Sequence, residues 1–127
     1  MAGKLSGCRV LIVEDEYFLA DDLAAALKDR GVLVFGPVSD LPEAIEAVRR
    51  DGFDVAILDI NLHDRATYTL ADELLRQHIP FLFATGYSAE VIPERFQHIR
   101  RWEKPYDVPG IIRDVVSMCS RRAETTA

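Results

Sequence analysis

At 127 residues the chain is long enough for one domain with a real core and too short for two. It is 49% hydrophobic and 28% charged, and its formal net charge of −6 argues against nucleic acid or an anionic membrane as the main partner. No apolar run approaches the roughly 20 residues of a membrane span, and MAGKLSG lacks the apolar stretch of a signal peptide, so a cytoplasmic protein is expected.

Residues 1–8 read as a flexible start, and Cys8 and Cys119 as two reduced thiols. Arg9 to Val13 is a strand-like run closed by three acids, Glu14, Asp15 and Glu16. Tyr17 to Arg30 has a helical pattern with Phe18, Leu19, Leu23, Ala26 and Leu27 on one face, and Gly31 stops it. Val32 to Phe35 is a second short strand, closed by Gly36-Pro37. Ser39 or Asp40 caps the next helix, with Pro42 in its first turn and Arg49-Arg50 near its end, as the helix dipole prefers.

The apolar, partly β-branched run from Val55 to Leu58 suits a strand buried on both faces. A carboxylate, Asp59, follows at once and is too costly to bury unpaired, so it belongs at the strand's open end. A helix is expected from about Thr69 to Gln77, a fourth strand over Pro80 to Ala84, and a short or irregular helix over Ser88 to Gln97, which contains Pro93. Ile99 to Glu103 is polar enough for an edge strand. Asp107 caps a last helix carrying Ile111, Ile112, Val115, Val116 and Cys119 on one face, and a frayed tail follows. One domain over 9–122 and a flexible tail over 123–127 are expected.

This β-α alternation, five times over, gives a parallel sheet with helices on both faces through right-handed crossovers. With strand order 2-1-3-4-5 the switch point falls between strands one and three, which brings Glu14, Asp15 and Asp59 into one crevice. Three carboxylates repel, and a hard divalent cation such as Mg²⁺ relieves that repulsion through oxygen ligands. Thr85 ends the fourth strand and Lys104 the fifth. A metal, an ammonium and a hydroxyl are the set needed to hold a phosphoryl group on Asp59.

At these residues the chain resembles the receiver domain, the phospho-acceptor module of two-component response regulators. The likeness runs from about Arg9 to Arg121 and rests on Glu14-Asp15, Asp59, Thr85 and Lys104-Pro105. It implies a flavodoxin-like (βα)5 sandwich with a five-stranded parallel sheet. It also implies Mg²⁺ bound by Glu14, Asp15, Asp59 and the main-chain carbonyl of Asn61. Asp59 would accept a phosphoryl group from a sensor histidine kinase or a phosphotransfer protein, Lys104 would pair with it, and Thr85 would move toward it.

The segment PFLFATGY, Pro80 to Tyr87, resembles a narrower group with a FATGY-type motif, associated with alphaproteobacterial stress signalling and kinases of the HWE class. In that reading Gly86 leaves room for the phosphoryl donor and Tyr87 gates access. The family pattern puts an aromatic three residues before the lysine. Here that position is Arg101, so Tyr87 or reordering of Ser88 to Gln97 is expected to carry the signal.

The chain stops soon after the fifth helix, so a stand-alone switch or relay intermediate is expected, monomeric or weakly dimeric, without nucleic-acid or membrane contact. A downstream protein would read the face from Ser88 to Arg121, with Arg101, Trp102 and Tyr106 on it. The alternatives are a receiver cut from a larger regulator and a small Mg²⁺-dependent aspartyl-phosphate phosphohydrolase. The latter wants a general acid two positions after the nucleophile, where Asn61 stands, so a phosphoryl acceptor rather than an enzyme is expected.

Overall fold

The computed structural model describes residues 7–63, 65–86 and 92–126. Five parallel strands make one sheet: β1 (Arg9–Val13), β2 (Leu33–Val38), β3 (Val55–Asp59), β4 (Phe81–Thr85) and β5 (Arg101–Glu103). Their spatial order is β2-β1-β3-β4-β5, the 2-1-3-4-5 order expected from the sequence. The helices are α1 (Tyr17–Asp29), α2 (Leu41–Arg50), α3 (Tyr68–Arg76) and α4 (Val108–Thr126). A 3-10 turn at Glu94–Phe96 follows Pro93. It is the described part of the expected irregular helix; residues 87–91 lie outside the described residues.

Strand alternation sorts the core into two layers. Leu11, Val13, Ala56, Leu58 and Phe83 face α2 and α3. Val10, Ile12, Val55, Ile57 and Leu82 face α1 and α4. Every residue of β3 and β4 is buried, which is why both read as unbroken apolar runs. The register pairs Val13 with Leu58 and Asp59 with Ala84, so the acid-bearing ends of β1 and β3 finish side by side.

The caps follow their sequence signals. Asp40 Oδ2 accepts from the Glu43 amide at 3.0 Å to start α2. Asp107 Oδ2 accepts from the Gly110 amide at 3.1 Å to start α4. A Cβ on Gly110 would lie 2.4 Å from the Trp102 ring, so glycine lets α4 lie close on β5.

Several expectations change. β2 runs through Gly36-Pro37 to Val38 instead of stopping there. Gly36 has φ +106°, and a Cβ there would sit 2.5 Å from the Ile12 carbonyl oxygen, so only glycine lets the strand continue against β1. The register slips between Leu11 and Val13, and the Glu14 amide then donates to the Val38 carbonyl at 3.0 Å.

Phe18 does not join the inner face of α1. Ala20, Leu23, Ala24 and Leu27 do, and Phe18 is 87% exposed. The backbone of α4 stays helical to Thr126, beyond the point where a frayed tail was expected.

The thiols also differ from expectation. Cys8 and Cys119 form a disulfide, with their Cα atoms 6.0 Å apart. The cause is packing: the approach to β1 and the inner face of α4 share one core layer, which brings together positions 111 residues apart.

Candidate functional site

The C-terminal ends of β1, β3 and β5 open on a cleft of about 480 Å³ lined by Asp15, Glu16, Asp59, Asn61, His63, Gly86 and Lys104. Glu14 and Asp59 are buried at its base. Glu14, Asp15 and Asp59 each bring a carboxylate oxygen within 4.8 Å of the others. The crevice inferred from strand order therefore exists, and the three acids meet in it.

Lys104 crosses this cluster. Its Nζ donates to Glu14 Oε2, Asp59 Oδ2 and Glu16 Oε1, each at 2.9 Å, which uses all three ammonium donors. Burial alone would pull the Lys104 ammonium down, but its bonds to Glu16, Glu14 and Asp59 outweigh that and hold it above lysine's ordinary value. Burial, with Asp59 beside it, pushes Glu14 up to about 7 in spite of the lysine.

Backbone amides hold the carboxylates as well. Glu14 Oε2 accepts from the amides of Asp15 and Glu16 at 3.1 Å. Asp59 Oδ1 accepts from the Asn61 amide at 3.1 Å, and Asp15 Oδ2 accepts from the His63 amide at 2.9 Å. The carbonyl of Asp59 accepts from the buried hydroxyl of Thr67 at 2.7 Å, and that hydroxyl also reaches the Ile60 carbonyl at 3.1 Å. Thr67 thus braces the chain where it leaves β3.

The donor set is all oxygen, clustered and short of positive charge, with one carboxyl already pushed toward neutrality. It fits Mg²⁺, whose hard-cation chemistry prefers carboxylates and retained waters.

The other expected residues are spread around this centre. Thr85 is buried at the end of β4, and its carbonyl accepts from the Lys104 amide at 2.8 Å. Gly86 lines the cleft, and Tyr87 lies outside the described residues. Trp102 turns away: its Nε1 donates to Asp114 Oδ2 at 2.7 Å, tying β5 to α4. Arg101 is half-buried, and its Nε has no hydrogen-bond partner.

Tyr106 corrects the sequence reading. It was placed on a partner-facing surface, yet it is 8% exposed and packs with the α1–α4 core layer. Burial, with Glu14 adding to it, pushes its hydroxyl up to about 12, and that hydroxyl is also without a partner.

Two cleft residues, Glu16 and His63, and the buried Thr67 behind them escaped the sequence reading. Glu16 read only as the last of three acids closing β1, and its link to Lys104, just beyond β5, shows only in the fold. His63 has a left-handed backbone, φ 48°, and its Nδ1 sits 3.6 Å from Asp15 Oδ2. It stands in the turn of a two-stranded ribbon, Asn61–Leu62 with Arg65–Ala66, in a stretch that reads as plain loop. Thr67 follows that ribbon.

Residues 10–100 match the family profile described as the response regulator receiver domain. The chain belongs to that receiver family. It is a two-component signalling module, and the family's aspartate phosphorylation site accords with the acid cluster found here. Receivers of this family partner with histidine kinases.

Among similar proteins is the transcriptional regulatory protein PdtaR of Mycobacterium tuberculosis, 30% identical over 123 residues. The match covers 94% of this receiver and 60% of PdtaR, so this chain spans about 60% of that relative's length. The solution structure of SdrG from Sphingomonas melonis Fr1 superposes with a TM-score of 0.76 at 32% identity, covering 91% of this chain and 97% of SdrG. A BeF3-activated conformation of SdrG, from Pseudomonas melonis Fr1, gives 0.71 at 31% identity, covering 90% and 98%. Among the described residues, no helix of the receiver is long and apolar enough to cross a membrane.

Proposed function

We propose that Asp59 accepts a phosphoryl group from the phosphohistidine of a sensor kinase or phosphotransfer protein, and that the receiver unit, residues 9–122, acts as a stand-alone switch or relay intermediate. The observation that carries this reading is the Lys104 ammonium at 2.9 Å from Asp59 Oδ2, inside the carboxylate cluster. An Asp59 oxygen attacks phosphorus, the P–N bond breaks, and the donor imidazole leaves with the bonding pair. Glu14, Asp15, Asp59 and the Asn61 carbonyl hold Mg²⁺, which offsets phosphoryl charge when bound. Lys104 neutralises a phosphoryl oxygen, and Thr85, at the end of β4, relays the change toward β5 and α4.

The FATGY-type segment supports placing this chain with that narrower alphaproteobacterial group, whose donors include HWE-class kinases. The near-complete overlap with SdrG supports the same placement, and the BeF3-activated form of that protein suggests beryllofluoride as a phosphoryl mimic here. Tyr17 and Phe18, 75% and 87% exposed beside the cleft, suit contact with the donor. Arg101 and the loop before it are the part of the β5–α4 face left for a downstream partner once Trp102 and Tyr106 are assigned to packing. Labelling with acetyl phosphate and Mg²⁺ tests the reading: Asp59→Asn takes up no label, and persistent labelling moves the acceptor elsewhere.

A further inference from the structure

Glu16 is the one partner of Lys104 to which the phosphoryl-acceptor reading gives no task. Glu14 and Asp59 both change partners during the proposed reaction. A metal draws on their oxygens, and one oxygen of Asp59 becomes the bridge to phosphorus. Two of the three ammonium donors are therefore released in turn. Glu16 is bound to neither duty.

Its side chain is 56% exposed and reaches Lys104 Nζ at 2.9 Å. It occupies the N-cap position of α1, where a side-chain oxygen ordinarily accepts from the helix's own first amides, yet it makes no such bond. Its amide is instead pinned to Glu14 Oε2, which fixes the backbone from which the carboxylate reaches across to β5. The carboxylate has been taken from its own helix and given to the lysine.

We propose that Glu16 is a positioning residue: it keeps the Lys104 ammonium over the cleft while the cation and the phosphoryl group claim Glu14 and Asp59. The inference rests on Asp59 being the acceptor and adds the anchor that holds the phosphate-pairing lysine in place. Without Glu16, the freed ammonium would pair more fully with Glu14 and Asp59 and compete with both incoming groups. With it, one donor stays on Glu16 and two are available to phosphoryl oxygens.

The test uses the whole chain, MgCl2 and beryllofluoride, and reads hydrogen exchange at the Lys104 ammonium by NMR in wild type, Glu16→Ala and Glu16→Gln. In the beryllofluoride-loaded state Glu16→Ala exchanges about fivefold faster than wild type, an exposed charge-assisted bond having been lost. Glu16→Gln falls between the two, because its amide oxygen still accepts without the charge. Equal exchange in loaded wild type and Glu16→Ala overturns the anchor and leaves the acceptor reading standing. So does faster exchange confined to the first-turn amides of α1, the signature of an ordinary helix cap. Failure of wild type itself to take up beryllofluoride at Asp59 removes the acceptor reading, and the anchor with it.

Discussion

Two charged clusters among the described residues have opposite balance. At the mouth of the sheet, Glu14, Asp59 and Glu16 share the one ammonium of Lys104, with Asp15 alongside. On α3, the single carboxylate of Glu73 has the guanidinium of Arg76, the amide of Gln77 at 2.8 Å and Arg49 at 3.6 Å. The same side chain therefore shifts in opposite directions. Burial and the Asp59 carboxylate push Glu14 up to about 7, whereas the bonds from Arg76 and Gln77 hold Glu73 down at about 2. A cluster with surplus acid still attracts positive charge. One with surplus base around its acid is closed. Chemistry belongs at the first, and the second only ties α3 to α2.

The harshest way to break the contrast is to remove the lysine. Lys104→Ala leaves Glu14 and Asp59 buried without their cation, and losing one partner of a buried pair costs about 3 kcal/mol. Urea denaturation at about pH 8 should show that loss. The deficit should shrink at about pH 5, where protons replace the missing ammonium, and on adding Mg²⁺. A variant as stable as wild type at the higher pH without divalent cation would mean that the acids do not depend on the lysine.

What could be read from the sequence follows from where burial and charge coincide along the chain. The apolar run Val55 to Leu58 suits a covered strand, and a carboxylate directly after it belongs at the strand's open end. The same logic placed Glu14 and Asp15, whereas Lys104 was placed by the polar edge strand before it, and β-α alternation supplied the parallel sheet. Residues whose role depends on distant backbone stayed hidden. Glu16 is indistinguishable from a helix-start acid until β5 presents Lys104, 88 positions on. Thr67 reads as a turn residue until the ribbon after Asp59 folds back and sets its hydroxyl on the Asp59 carbonyl. The Cys8–Cys119 bond depends on α4 lying against the approach to β1. Phe18 was misplaced because the face drawn through Leu19 and Leu23 is turned by about one residue, roughly 100°, from the true one, which puts Phe18 on the far side of the helix.

A gentler probe sharpens the comparison through pH. With Glu14 raised to about 7, the metal-free cleft carries a proton there below neutrality, and Mg²⁺ must displace it. Affinity for Mg²⁺, followed by calorimetry, should be level above that value. Below it, affinity should fall by up to about tenfold per pH unit, one proton being released for each ion bound. Glu14→Gln should flatten the dependence while weakening binding at every pH. A dependence that persists in Glu14→Gln would assign the proton to another cleft acid.

The smallest effect belongs to the closed cluster, and its sign is the reverse. Glu73 is lowered from 4.5 to about 2, chiefly by the Arg76 bond, so its contribution to stability is complete above 4.5, is lost as pH falls toward 2, and is absent below. Arg49 and Arg76 are each about two-thirds exposed, so solvent screens the network and the gain is modest. In urea titrations Glu73→Gln should trail wild type near neutrality, and the two curves should converge as the pH drops through that window. Mg²⁺ should move neither curve's gap, because no acid on α3 lacks a cation. A gap that widens in acid would mean that Glu73 is strained by burial, as Glu14 is, and the two clusters would then differ in degree rather than in kind.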